Sequence, residues 1–140
     1  MRFYETASRI DASPEAVWAV LRDGAAWPSW DSGLTAVAGR IAQGERITVR
    51  SEAVPGRAFP VTVTALEPPH RMEFRGGMPL GLFRGTRTYT VTPEGNGSSF
   101  RMREEYTGPL LGLIWRSMPD LQPSFDRFAA GLKQRVESGV

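Results

Sequence analysis

The stretch PDLQPSFDRFAAGLKQRVES, residues 119–138, decides how the rest of this chain must fold. Its apolar residues recur at spacings of three and four, which places them on one stripe of an α-helix. The opposite face is polar, so the helix needs an apolar, concave surface to pack against. We predict a helix over residues 119–138, with Asp120 in its first turn and Lys133 and Arg135 near its end, where they suit the helix dipole. The predicted buried stripe is Leu121, Phe125, Phe128, Ala129, Leu132 and Val136.

The middle of the chain supplies such a surface, because the hydrophobic period changes from helical to two at residue 34. The alternation there predicts six strands joined by turns of hairpin length, the clearest being a hairpin turn at Asn96-Gly97. An earlier strand, residues 3–10, is predicted to place Tyr4 and Ile10 on its inward face. The six later strands are predicted over residues 34–38, 46–52, 59–66, 71–75, 83–92 and 98–107.

Two helical pieces are predicted between the first strand and the sheet region. Ser13 is placed to cap a helix that has Pro14 at its first position and ends at residues 22–24. A short helical turn or structured loop follows over residues 25–31, where Pro28 biases Trp27 away from helical geometry. This order of elements predicts an α+β fold in which a curved antiparallel sheet wraps the C-terminal helix.

Composition excludes several classes of function. A chain of 140 residues is most simply one domain, residues 1–140. It has no cysteine and one histidine, His70, so thiol nucleophiles, zinc–cysteine centres and multi-histidine metal sites are excluded, and we expect neither metal nor cofactor. The net charge of +2 is scattered, so nucleic acid is not an expected partner. Without a membrane-spanning stretch or a signal-peptide core, a cytoplasmic monomer or homodimer is expected.

Three motifs carry a family resemblance that covers essentially the whole chain. They are IDASPEAVW at residues 10–18, WPSW at residues 27–30 and YTGPL at residues 106–110. With them the sequence resembles the polyketide cyclase and dehydrase branch of the START/Bet v 1-like superfamily, also called SRPBCC proteins. The resemblance implies a helix-grip fold with seven antiparallel strands, two short helices and a cavity for an apolar ligand. It implies no catalytic residue, because the motifs are structural.

Arg87 and Glu104 are the strongest candidates for chemistry, because alternation places both charges on the apolar face of a predicted hairpin. If residues 94–97 form a four-residue connection, Pro93 pairs with Ser98 and Arg87 lies opposite Glu104. If Asn96-Gly97 is a two-residue turn, Glu104 becomes a diagonal neighbour of Arg87. Either register pairs the charges, since burying one alone is costly. The pair either fixes the hairpin or orients a ligand hydroxyl or carbonyl.

Clustered aromatic residues suggest where a ligand would lie. Trp27 and Trp30 are expected beside Trp115, where they either belong to the core or line a cavity mouth and stack on a planar ligand. The glycine-rich loop at residues 76–81 is either a turn or a lid, and the segment 108–118 is the expected door. The predicted ligand-binding set is Trp27, Trp30, Phe83, Arg87, Tyr89, Met102, Glu104, Tyr106, Leu111 and Trp115.

Three functions remain open on the sequence alone. The first is binding of a small hydrophobic or aromatic molecule, such as a lipid, isoprenoid or polyketide, between the sheet and the C-terminal helix. The second is a cyclase or dehydratase whose polar contacts come from Arg87, Glu104, Tyr89 or Tyr106. The third is a protein-interaction module, which an exposed apolar patch of tryptophans would support. Glu105, Arg101, Arg103 and His70 are expected to face solvent.

Overall fold

The structure, a computed structural model, describes residues 1–139. Two short 3-10 segments, Gly24–Ser29 and Pro79–Gly81, accompany the regular elements. In chain order the regular elements are β1 (Arg2–Ile10), α1 (Pro14–Arg22), β2 (Leu34–Ala38), β3 (Arg46–Ser51), β4 (Ala58–Glu67), β5 (Arg71–Gly77), β6 (Arg84–Glu94), β7 (Gly97–Thr107), α2 (Leu111–Ser117) and α3 (Gln122–Glu137). The predicted α+β class, the seven strands and the long C-terminal helix are confirmed.

The strands form one antiparallel sheet in the order β1-β7-β6-β5-β4-β3-β2. Each later strand pairs with the one before it, as alternating segments with short turns predict. The first strand departs from this rule, because β1 pairs with β7, with Tyr4 opposite Glu104 and Ile10 opposite Ser98. This non-local pairing closes the sheet into a curved surface around α3.

The β6–β7 hairpin has the register that places Arg87 directly opposite Glu104. Its turn is Gly95-Asn96, since Glu94 still pairs with Gly97. The predicted register in which Pro93 pairs with Ser98 is confirmed, and the alternative two-residue turn at Asn96-Gly97 is wrong. Gly95 has a φ of +57°, which glycine adopts without steric cost. Gly97 instead lies in the strand, where a Cβ atom would come within 2.5 Å of the carbonyl oxygen of Ile10.

Helix α3 begins three residues later than predicted. Asp120 lies before the helix and its Oδ1 accepts a hydrogen bond of 3.0 Å from the amide of Gln122. This side-chain bond satisfies a free amide of the first turn in place of a backbone partner. The predicted stripe is confirmed, because Phe125, Phe128, Ala129, Leu132 and Val136 are buried. Leu121 packs against the same core while partly exposed.

Side chains of α3 also cover the free edge of β1. Gln122 Nε2 donates to the carbonyl oxygen of Glu5 at 2.9 Å, and Lys133 Nζ donates to that of Arg9 at 2.8 Å. Thr6 and Ile10 are buried, which confirms the predicted inward face of β1. An uncovered edge strand would present unpaired backbone groups, so these contacts fix β1 as well as α3.

Helix α1 has the predicted beginning. It starts at Pro14, and the hydroxyl oxygen of Ser13 accepts a hydrogen bond of 3.2 Å from the amide of Ala16. Trp27 in the following 3-10 segment donates its indole N–H to the carbonyl oxygen of Leu21 at 3.0 Å. Together, α1 and this segment close one side of the space between the sheet and α3. None of the helices in residues 1–139 is long and apolar enough to cross a membrane.

The two ends of the sheet are closed to different degrees. The name open end is used for the end of the sheet that contains the first residues of β1 and β6 and the last residues of β7. The opposite end is called the closed end. Toward the closed end, five aromatic rings pack between the sheet and α3, each with its residue buried. Phe128 contacts most of the others, with ring centroids 5.1 Å from Trp27 and 6.0 Å from Tyr89. This closed cluster consists of Trp27, Phe74, Tyr89, Phe100 and Phe128.

Candidate functional site

The Arg87–Glu104 ion pair lies on the inner face of the sheet, toward the open end. Arg87 Nε donates to Glu104 Oε1 at 3.1 Å, and the two side chains are 24% and 18% exposed. The guanidinium carbon of Arg87 also lies 4.7 Å from the ring centroid of Phe125. Burial lowers the pKa of Arg87, but the negative charge of Glu104 outweighs it and holds the pKa above its ordinary value. Arg87 is therefore a permanent cation, only partly shielded from the space in front of it.

Tyr106 stands beside this pair on the same face of β7. The residue is buried, yet its hydroxyl has no hydrogen-bond partner among residues 1–139. Burial raises the pKa of Tyr106, and the charge of Glu104 raises it further, so the phenol stays protonated. The indole nitrogens of Trp18 and Trp30 are likewise buried without partners, so this property alone does not define a site. What distinguishes Tyr106 is the adjacent ion pair.

Aromatic rings surround Tyr106 and form a second cluster. Its ring centroid lies 6.0 Å from that of Phe83, with which it stacks, and 5.6 Å from that of Trp115. Tyr4 stacks on Trp115 at 5.3 Å and contacts Phe125 at 5.6 Å. This open cluster consists of Tyr4, Phe83, Tyr106, Trp115 and Phe125. It supplies flat apolar walls next to two charges and a free hydroxyl.

Two residues from Arg87 toward the open end, β5 and β6 carry a pair of positions without side chains. Gly76 of β5 pairs with Gly85 of β6, so two glycines lie side by side on neighbouring strands. A Cβ atom on Gly85 would come within 3.5 Å of the Tyr106 ring and 3.6 Å of the Glu104 carboxyl carbon. The Val61 side chain lies over Gly76 in the same way, so the two glycines let their neighbours pack closely onto the sheet beside the polar groups.

Helix α2 covers the open cluster with few anchors. None of its residues is buried, and Leu113 is 69% exposed. The helix is held by the contacts of Trp115 and by a hydrogen bond of 3.0 Å from the amide of Leu110 to the carbonyl oxygen of Leu82. Gly108, at φ +116°, makes the close approach to Leu82 that this bond needs. The segment expected to act as a door thus covers the inner face with a helix that has no buried residue.

The structure brings together part of the predicted ligand-binding set. Phe83, Arg87, Glu104, Tyr106 and Trp115 meet at the open end, and Leu111 lies half-buried in α2. The members in the buried core are Trp27, Tyr89 and Met102.

The predicted grouping of the tryptophans is wrong. Trp27 and Trp30 both pack on Phe128, whereas Trp115 packs on Tyr4 and Tyr106 in the other cluster. Trp30 and Trp115 are about 85 residues apart in the chain. Their distance in space depends on the order of the strands, which a local sequence pattern does not show. An exposed tryptophan patch is not formed either, since Trp27 is buried and the other two are half-buried.

Two shallow depressions lie on the surface of residues 1–139, away from the ion pair. One, near the β3–β4 turn, is lined by Thr35, Arg50, Ser51, Glu52, Pro55, Gly56 and Arg57. The other is lined by Ala19, Val20, Asp23, Ala26, Trp30 and Arg135, so it includes one residue of the predicted set. Neither reaches Arg87, and neither is the cavity between the sheet and α3 that the resemblance implies.

The glycine-rich loop at residues 76–81 contains the short 3-10 turn Pro79–Gly81 between β5 and β6. It projects past the open end, with Met78, Leu80 and Leu82 exposed.

The solvent-facing assignments also agree with the structure. His70 is exposed on the β4–β5 turn, and Arg103 forms ion pairs with Glu5 and Glu105 on the outer face at 2.8 Å and 2.9 Å.

Sequence reasoning missed three contributors to the site at the open end. Tyr4 joins it because β1 pairs with β7, a contact that no local pattern reveals. Phe125 was assigned to the core alone, yet its ring also faces Arg87. Gly85 was available as a signal, because a glycine inside a strand often marks a close approach of a ligand or another backbone.

A curved seven-stranded sheet around a C-terminal helix, with polar groups on the inner face, defines the START/Bet v 1-like class of helix-grip proteins. Residues 2–137 match the family model described as polyketide cyclase / dehydrase and lipid transport, and the chain belongs to this family. No protein of curated function matches the chain in sequence.

Solved structures share the fold at low sequence identity. Protein MLL2253 from Mesorhizobium loti is 19% identical, with a TM-score of 0.76 over 99% of both chains. A START superfamily protein from Mycobacterium smegmatis is 15% identical, with a TM-score of 0.72 over 99% of both chains. Protein jhp0584 from Helicobacter pylori is 14% identical, with a TM-score of 0.76 over 96% of this chain and 88% of that one. At these identities the likeness concerns the fold alone.

Proposed function

We propose that this protein binds a small hydrophobic or aromatic molecule, of lipid, isoprenoid or polyketide type, between the open end of the sheet and helices α2 and α3. The observation that carries the proposal is the buried, unpartnered hydroxyl of Tyr106 beside the partly exposed Arg87–Glu104 pair. An apolar pocket with a few convergent polar groups is the usual design of a small-molecule site. The family and the fold support the same class of function.

The ligand would stack on the open cluster and direct an oxygen toward the polar groups. A carbonyl or hydroxyl oxygen would accept from the Arg87 guanidinium and from the Tyr106 phenol, which are both donors at neutral pH. Gly85 lets the Tyr106 ring and the Glu104 carboxyl lie close against the sheet at this point. Displacement of α2 would open the site, since that helix has no buried residue of its own.

Fluorescence titration with a hydroxylated anthraquinone, a planar probe that carries carbonyl and hydroxyl oxygens, tests this proposal. We expect saturable binding to the wild type and about tenfold weaker binding to Tyr106→Phe, the loss for one neutral hydrogen bond. Leu132→Val, a conservative change in the closed half of the core, is the matched control and should leave affinity unchanged. Absence of saturable binding, or equal affinity of wild type and Tyr106→Phe, would contradict the proposed site.

A second candidate is a cyclase or dehydratase acting on a poly-β-ketone, and the position of Arg87 favours it. A cation that stays charged and faces an apolar space can stabilise the enolate oxygen formed when such a ketone gives up an α-proton to the Glu104 carboxylate. Tyr106, held protonated, would donate a hydrogen bond to the same oxygen. Turnover of a poly-β-ketone thioester that persists unchanged in the Arg87→Met/Glu104→Gln variant would remove these residues from any mechanism.

A further inference from the structure

Exposed apolar side chains are concentrated at the open end. Leu80 is 97% exposed at the tip of the β5–β6 loop, and Leu113 of the neighbouring α2 is 69% exposed. All the large hydrophobic residues exposed within residues 1–139 lie at this end, on the first residues of β1, on the β5–β6 loop or on α2. They are Met1, Phe3, Met78, Leu80, Leu82 and Leu113.

Folding stability does not account for the leucine at position 80. Its φ of +62° is the left-handed conformation, which glycine adopts freely and a leucine side chain disfavours. The side chain gains no burial in return, because almost all of it faces water. Glycine or asparagine would adopt this backbone conformation with less strain and would expose less apolar surface to water. A contact outside the chain is therefore the remaining reason for a leucine at this position.

Unpaired positive charge surrounds these apolar tips. Eight exposed arginines have no carboxylate within 4.0 Å among residues 1–139, and five of them lie at or beside the open end: Arg2, Arg50, Arg57, Arg84 and Arg116. Three of the four carboxylates nearby already have an arginine partner. Glu104 pairs with Arg87, Glu105 with Arg103 and Glu52 with Arg127, whereas Asp120 accepts from the amide of Gln122.

We propose that the open end docks on an anionic lipid membrane surface. Leu80, Leu82 and Leu113 would enter the headgroup region, and the unpaired arginines would contact lipid phosphates, the usual combination in peripheral membrane binding. This goes beyond ligand binding and does not depend on the ligand's identity. It would place the α2 door directly against the membrane.

The arrangement favours a membrane over a protein partner. The apolar side chains project singly from a loop tip and a short helix, which suits insertion into a fluid layer better than packing on a rigid surface. A second copy docked through the same face would set the arginines of one molecule against those of the other, because a twofold interface is self-complementary.

Vesicle flotation with the full chain tests the proposal. The vesicles contain phosphatidylcholine with phosphatidylglycerol, or phosphatidylcholine alone. We expect binding to the anionic vesicles only, weakened by salt through screening of the arginine charges. Leu80→Asn should reduce partitioning about tenfold by removing one inserted apolar side chain, while leaving the unfolding temperature unchanged or raised. Arg84→Gln with Arg116→Gln should reduce it about 25-fold, at about fivefold for each charge.

The matched control is Arg40→Gln with Arg46→Gln, which removes the same charge from exposed arginines at the closed end. We expect this variant to bind anionic vesicles to within about threefold of the wild type, as long-range electrostatics alone would give. Equal loss in both double variants, or unchanged binding of Leu80→Asn, would overturn the proposal. So would a dimer in light scattering that Leu80→Asn dissociates, because it would assign this face to a second copy. Anthraquinone binding is measured without vesicles, so either proposal can fail alone.

Discussion

The closed and open clusters share the inner face of one sheet. They differ in how deeply their rings are buried and in whether their polar atoms have hydrogen-bond partners. In the closed cluster every residue is buried, and the indole N–H of Trp27 has a backbone acceptor at 3.0 Å. In the open cluster Trp115 is half-exposed, an ion pair is partly exposed and the Tyr106 hydroxyl lacks a partner. The first arrangement favours stability, whereas the second leaves donors without a partner in residues 1–139, as the proposed ligand site requires. The difference predicts that substitutions in the two clusters separate stability from binding.

The largest effect is expected from Phe128→Ala in the closed cluster. Phe128 is 2% exposed and its ring contacts those of Trp27, Trp30, Tyr89 and Phe100. Truncation leaves a cavity among rigid rings, so the free energy of unfolding should fall by about 3 to 5 kcal/mol. Denaturant unfolding monitored by tryptophan fluorescence measures it. A loss below about 1 kcal/mol would mean that this cluster is not the stabilising half of the molecule.

Arg87→Met should have the next largest effect, because it leaves the Glu104 carboxylate without its partner at the edge of the core. Removing one member of a fully buried pair costs about 3 to 5 kcal/mol. Since both side chains here are partly exposed, we expect about 1 to 2 kcal/mol by the same unfolding measurement. The double variant Arg87→Met/Glu104→Leu should recover most of that loss. A double variant as unstable as the sum of the singles would show that the two charges are not coupled.

Trp115→Ala should cost less than either, although it removes the largest side chain of the three. Its contacts are one stacked ring, one tilted ring and the Arg2 cation, and α2 buries no residue. We expect a loss of about 1 kcal/mol in unfolding free energy, the scale of an aromatic pair. Anthraquinone affinity should fall more clearly, by about tenfold. A stability loss equal to that of Phe128→Ala would erase the proposed contrast between the clusters.

How far the sequence leads depends on whether a contact is local. Alternation and the β6–β7 hairpin place Arg87 opposite Glu104, because both follow from neighbouring strands. The stripe of α3 is equally local, and its burial is predicted residue by residue. The open cluster is not local, since Tyr4 reaches Tyr106 only through pairing of the first strand with the last. The separation of Trp27 from Trp115 has the same origin. The missing partner of the Tyr106 hydroxyl depends on atomic packing, which no sequence pattern shows.

Tyr106→Phe should have the smallest effect at neutral pH. The hydroxyl makes no hydrogen bond among residues 1–139, so its removal should leave stability unchanged or raise it by up to about 1 kcal/mol.

The difference in stability between Tyr106→Phe and the wild type should grow in alkali. Burial and Glu104 raise the pKa of Tyr106 above the ordinary 10.0, so above about pH 10 the unfolded chain loses this proton while the folded one keeps it. The wild type therefore loses stability as pH rises, by up to about 1.4 kcal/mol per pH unit from this residue. Tyr106→Phe should lack this component in urea unfolding at pH 9 to about 11, and parallel curves for the two proteins would show that the phenol is solvated in the folded state.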